Sequence, residues 1–199
     1  MSCPAFAAPA LPEQTIKVHC ADSLSRVGNT MTNNDILRRI RYAFDFGDAK
    51  MISLFALALH PVTREQISAW LKKDDDPAFQ ECSGTELASF LNGLIIDRRG
   101  RKDGPQPEPE KHLNNNIIFR KLKIALNLKD DDIIEILTLA RLRLSKPELS
   151  AFFRNPAHRH YRVCKDQVLR NFLIGIQIKY RADKQAKRAG KPEMPKESN

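Results

Sequence analysis

Apolar residues recur at helical spacing through most of the chain. In NNDILRRIRYAF, Ile36, Leu37, Ile40, Ala43 and Phe44 share one face, which predicts a helix over residues 34–46. Asn33 or Asn34 is the expected cap, and Asp35 stands near the positive helix end. A second helix is expected over 49–59 and a short third over 64–72, with Thr63 as its cap. A fourth over 85–96 has Leu87, Phe90, Leu91, Leu94 and Ile95 on its apolar face.

The same pattern then returns. Shifting the chain by 82 residues lays NNDILRRIRYAF over NNIIFRKLKIAL and VTREQISAWLKK over LSKPELSAFFRN. The same shift lays FQECSGTELASFLNGL over YRVCKDQVLRNFLIGI. No gap is needed over 62 positions, of which 16 are identical, Cys82/Cys164, Phe90/Phe172 and Gly93/Gly175 among them. Chance similarity does not hold one register this long, so the chain carries an internal duplication. The predicted fold is all-α: two tandem copies of a four-helix unit, partly helix-turn-helix-like, packed as a pseudo-symmetric pair. In the second copy the helices are expected from Asn115 or Asn116, over 131–140, over 146–154 with Ser145 as cap, and from Asp166 to beyond Tyr180.

The expected organisation is a disordered leader over 1–30, a first repeat over 31–96, an exposed Pro/Gly/charged linker over 97–113, a second repeat over 114–180 and a basic disordered tail over 181–199. The leader has no sustained periodicity, and Met31 reads as the start of order. The linker, RRGRKDGPQPEPEKH at its centre, is rich in glycine, proline and charge.

These repeats carry a resemblance. NNDILRRIRYAF, the ISAWLKK…FQEC segment, SFLNGLI, EPEK followed by LNNNIIFRKLKIAL, and VCKDQVLRNFLIG together resemble the bacterial YehS-like proteins over about residues 31–180. That family carries a domain of unknown function in tandem. The resemblance implies a small all-helical bacterial protein located in the cytoplasm, and it supplies no catalytic or binding residues.

Composition narrows the function classes. Of 199 residues, 33 are Lys or Arg and 24 are Asp or Glu, giving a net charge of +9. That charge is unevenly spread, at −2 over 31–96 and +7 over 114–180, so a polyanion partner would be expected at the second repeat. The longest apolar stretch, Met51 to Leu59, is about half the roughly 20 residues a membrane span needs. The proline-interrupted start lacks a basic region, which argues against a signal peptide, and the four cysteines read as reduced thiols.

No phosphate loop, dinucleotide fingerprint, nucleophile elbow or paired His/carboxylate constellation occurs, so no catalytic residue, cofactor or metal site is expected. His158, His160 and Cys164 match no closed zinc spacing. Cys82 and Cys164 read as small buried hydrophobes rather than a redox pair. Asp74–Asp76 and Asp130–Asp132 read as capping and solvated residues. The candidate nucleic-acid contacts are the basic residues that recur on the two first helices: Arg38, Arg39 and Arg41, over Arg120, Lys121 and Lys123. All six lie off the apolar face and are expected to point outward, with Arg41 also able to pair with Asp45. The second and third helices of each unit look like a helix-turn-helix, but the turn lacks glycine, and Glu65 and Glu148 would face a DNA groove. The functional expectation is a non-catalytic binding or regulatory protein acting through a protein partner, with nucleic-acid binding as the alternative; it is expected to act away from membranes, and a homo-oligomer is possible.

Overall fold

A computed structural model describes residues 30–189, and the expectations for the leader and for the last ten residues of the tail lie outside that range. The described residues form eight α-helices and no strand. They are α1 (Asn33–Phe44), α2 (Asp48–Leu57), α3 (Arg64–Leu71) and α4 (Gly84–Arg99), then α5 (Asn115–Ala125), α6 (Asp130–Leu139), α7 (Lys146–Ala151) and α8 (Asp166–Ala189). Four match four in order, as the duplication predicts.

Local chemistry sets the boundaries. Thr32, not Asn33 or Asn34, caps α1: its hydroxyl accepts the Asp35 N–H at 3.1 Å, and the Asp35 carboxylate takes the Thr32 N–H in return. Asn114 caps α5 by accepting the Ile117 N–H at 2.9 Å. Reciprocal boxes also open α3 at Thr63/Gln66 and α4 at Ser83/Glu86. The α4 helix runs three residues into the segment expected as linker and stops at Gly100, whose φ of 83° a residue with a Cβ rarely adopts. At the other end, α8 continues beyond Tyr180, as expected, and reaches Ala189.

Packing makes the two units inseparable. Within each unit the second helix packs on the fourth, as α2 on α4 and α6 on α8. The first helix of each unit, however, packs mainly on the fourth helix of the other: α1 on α8, and α5 on α4. The same seam is thus made twice, related by the repeat. Near its centre, Phe44 meets Tyr180 of α8 at 5.0 Å between ring centroids and lies 5.2 Å below the Arg98 guanidinium of α4. One apolar core runs through both halves, from Ile36, Leu37 and Phe55 to Phe119, Ile136 and Phe172.

Trp70 and its counterpart Phe152 are both buried, as the matched Ser-Ala pairs before them suggest, and Trp70 lies 5.4 Å from the Phe55 ring. The repeated glycines have a steric cause. A Cβ on Gly93 would stand 1.8 Å from the Leu54 carbonyl oxygen of α2, and one on Gly175 would stand 2.0 Å from that of Ile136 in α6. Each fourth helix therefore lies against the backbone of its second helix, and only glycine permits that approach.

Gly93→Ala and Gly175→Ala are each expected to lower stability by about 3 kcal/mol, because the clash is with backbone that cannot rotate away. Trp70→Ala should cost about 3–5 kcal/mol by leaving a cavity. Urea unfolding followed by circular dichroism measures all three; a Gly93→Ala protein of wild-type stability would refute the close crossing.

Candidate binding site

The basic residues of the first helices do not form one outward row. Arg38 donates to the Lys72 carbonyl, to Asp35 at 2.9 Å and to Asp74 at 3.1 Å. Arg41 donates through Nε to the Phe46 carbonyl at 3.0 Å and pairs with Asp48 at 2.8 Å. Its expected partner Asp45 instead closes α1 in the left-handed conformation, at φ 55°. Arg39 is half-buried. In the second unit, Arg120 is exposed and donates to the Phe153 carbonyl at 2.8 Å. Lys123 pairs with Asp130 at 2.5 Å and sits 4.6 Å above the Phe153 ring.

Lys121 corrects the expectation directly. It is only 8% exposed, its ammonium donates to Asn92 Oδ1, and Glu110 Oε2 lies 2.9 Å away. The outward assignment assumed that α5 buries a single face against its own unit. Because α5 also packs on α4, position 121 faces that helix.

Four of the other five residues fall into place around the seams. Arg38, Arg41 and Arg181 line a pocket of about 320 Å³ with Tyr42, Asp45, Phe46 and Leu71. Arg120, Lys123 and Arg99 line one of about 340 Å³ with Ile124, Asn127, Leu128 and Phe153. These linings match position for position under the 82-residue shift. Only Arg39 stays outside both. Each pocket takes two cations from a first helix and one from the fourth helix of the other unit. That third cation, Arg99 or Arg181, was not among the sequence candidates. The signal for it was present, since 99 and 181 are both Arg and lie in register, but both stood just past the repeat boundaries then assigned.

The two pockets differ in electrostatics. Asp35 and Asp74, which neutralise Arg38, correspond to Ile117 and Pro156, so Arg120 has no equivalent carboxylates. Asn127 stands where the first pocket has Asp45. The α4–α5 pocket is therefore the more positive. In the α1–α8 pocket, Arg181 instead stacks on the exposed Tyr42 ring at 3.6 Å.

The remaining sequence candidates are held in structural roles. Asp131 pairs with Lys146 at 2.7 Å, Asp132 accepts the Lys129 N–H at 2.7 Å, and Asp76 holds the Ala78 N–H and Lys72. His158 and His160 are exposed while Cys164 is buried, so the three do not converge. Among the described residues, no group of three or more His, Cys, Asp or Glu gathers in a metal-holding arrangement. Burial pushes both the Cys82 and Cys164 thiols up to about 12, with nearby carboxylates adding to the effect. On the helix-turn-helix-like elements, hydrogen bonds at the helix starts hold Glu65 and Glu148 below the usual carboxylate range. Each carries a full negative charge where a nucleic-acid phosphate would approach.

Comparison with known proteins gives the family. The model for "Protein of unknown function (DUF1456)" matches residues 33–100 and again 115–182, in agreement with the tandem duplication. The chain is 44% identical over 155 residues to the "Uncharacterized protein YehS" of Escherichia coli (strain K12), which covers 77% of this chain and 99% of that protein. No solved structure matches. None of the described helices is long and apolar enough to cross a membrane.

Burial raises both thiol constants to about 12, which keeps Cys82 and Cys164 protonated at pH 8. Iodoacetamide at pH 8, read by peptide mass spectrometry, should label these two cysteines only after denaturation. Labelling of either within minutes in the native protein would show an accessible, activated thiol.

Proposed function

The chain belongs to the DUF1456 family of proteins of unknown function, and from that footing we propose that it is a non-catalytic binding protein that captures an acidic protein partner at the α4–α5 pocket. The observation that carries this reading is the pocket itself. Arg99, Arg120 and Lys123 converge from two units around an exposed isoleucine, Ile124, with one carboxylate, Asp130, in attendance. Arginine beside an exposed apolar side chain is the composition of protein interfaces. It offers acidic side chains a charged rim and offers apolar ones a centre.

A nucleic-acid reading rests on the +7 charge of the second repeat. It is less well supported by the geometry. Four of the six proposed phosphate contacts, Arg38, Arg41, Lys121 and Lys123, are already engaged with carboxylates, and Lys121 is buried. The helix-turn-helix-like elements present Glu65 and Glu148 at their exposed starts.

The two readings separate by nuclease and salt. The full chain, crosslinked in native cells and recovered, should retain a defined protein after nuclease treatment. Lys123→Glu combined with Asn127→Asp should reduce that retention by about tenfold, since it reverses the pocket's charge without touching a core residue. If retention disappears with nuclease, and log affinity for a duplex falls against log salt by about 0.9 per phosphate contact, the nucleic-acid reading replaces this one.

A further inference from the structure

A cavity of about 620 Å³ lies beside the basic pocket, between α4 and α5. That is nearly twice the size of either basic pocket and falls in the range of small-molecule sites, which favour the seams between units. Its walls are apolar: Ile95 and Ile96 of α4, Ile117 and Ile124 of α5, and Ala58 after α2. Its roof is the segment between the repeats, through Gln106 and Pro107. That segment occurs once, so this cavity is a feature the duplication alone does not explain.

Three polar groups stand in the apolar wall. Lys121 is 8% exposed and Asn92 is 5% exposed, and they are joined by a hydrogen bond from ammonium to amide oxygen. Glu110 Oε2, itself buried, lies 2.9 Å from the same ammonium, so this carboxylate is held as the ion-pair partner of Lys121. Asn92 and Lys121 correspond to Ile174 and Arg39, so the Lys–Asn pair occurs only on this side. At the rim stand Arg99, Lys102 and Arg120. Lys121 and Glu110 offset one another, which leaves three cations facing the mouth.

We infer that this cavity is a binding site for a small organic anion, one with an apolar body and a single anionic group held by the rim cations. The cavity shares Arg99, Arg120 and Ile124 with the basic pocket, but Ala58, Ile96 and Lys102 line this cavity alone, so substitutions there separate it from the protein-partner reading.

Anilinonaphthalene sulfonate has both features, and N-phenylnaphthylamine is the same body without the sulfonate. Fluorescence titration of the full native chain should show one saturable site for the sulfonate, with the neutral analogue at least about tenfold weaker. Ala58→Phe, which puts a ring into the cavity, should abolish binding with the circular dichroism spectrum unchanged; Ile96→Phe serves the same purpose should Ala58→Phe fail to fold. Arg99→Gln with Lys102→Gln should weaken the sulfonate by about tenfold and leave the neutral analogue unchanged. Equal affinity for both dyes, binding that survives a folded cavity-filling variant, or no saturable binding would each overturn the assignment.

Discussion

In each unit a single buried side-chain amide ties together three parts of the chain that are far apart in sequence. Asn34, 1% exposed, donates from Nδ2 to the carbonyls of Trp70 at 2.9 Å and Gln80 at 2.8 Å, and its Oδ1 accepts the Cys82 N–H at 3.0 Å. Asn116 repeats all three bonds with Phe152, Arg162 and Cys164. The neighbouring Asn33 and Asn115 add bonds to the Cys82 and Cys164 carbonyls. The start of each first helix is thereby locked to the end of the third and to the strand of chain leading into the fourth. Only an amide can donate twice and accept once from that position. Aspartate would lose both donations, and leucine would leave three buried backbone groups without partners.

That lock orients the first helix so that its second side is offered to the other unit. The seam between units is then α1 on α8 and α5 on α4. It is closed further by the glycine crossings at Gly93 and Gly175, which press each fourth helix onto the second helix of its own unit. Two copies linked this way are halves of one body rather than beads on a string. The candidate sites follow from the same geometry. The matched basic pockets sit on the two seams, and the larger cavity forms where one seam is roofed by the connecting segment. Substitutions since duplication, such as Asp45 against Asn127 and Ile174 against Asn92, make the two seams chemically distinct.

The helices and the buried aromatic at 70 and 152 were legible in the sequence because each rests on spacing along a single helix, and the duplication because one register holds over 62 positions. What was not legible depends on which helix packs where. Periodicity assigns a helix one apolar face. The first helices have two packed sides, so Lys121, placed outside by its position on the wheel, lies inside the seam. The buried asparagines were misread as caps for a related reason. A polar residue at a helix start normally solvates or caps, and nothing local distinguishes one that reaches back into the core. The recurrence of the Asn pair in both copies, three residues before Leu37 and Phe119, was the available signal. Arg41 likewise took Asp48 rather than Asp45 because the backbone turns between them, bringing the start of α2 alongside the end of α1.

The central claim is that the amide locks and the shared seams make both units unfold together, and one measurement addresses it directly. Trp70 is the single tryptophan and reports only on the first unit, whereas Asn116 braces only the second. Replacing Asn116 with alanine should cost about 2–4 kcal/mol, from three lost hydrogen bonds and the buried groups left behind. In urea titrations of that variant, Trp70 fluorescence and far-ultraviolet circular dichroism should shift together to the same lower midpoint. A Trp70 midpoint unchanged from wild type, beside a circular dichroism transition that divides in two, would show that the units are independent and contradict the account.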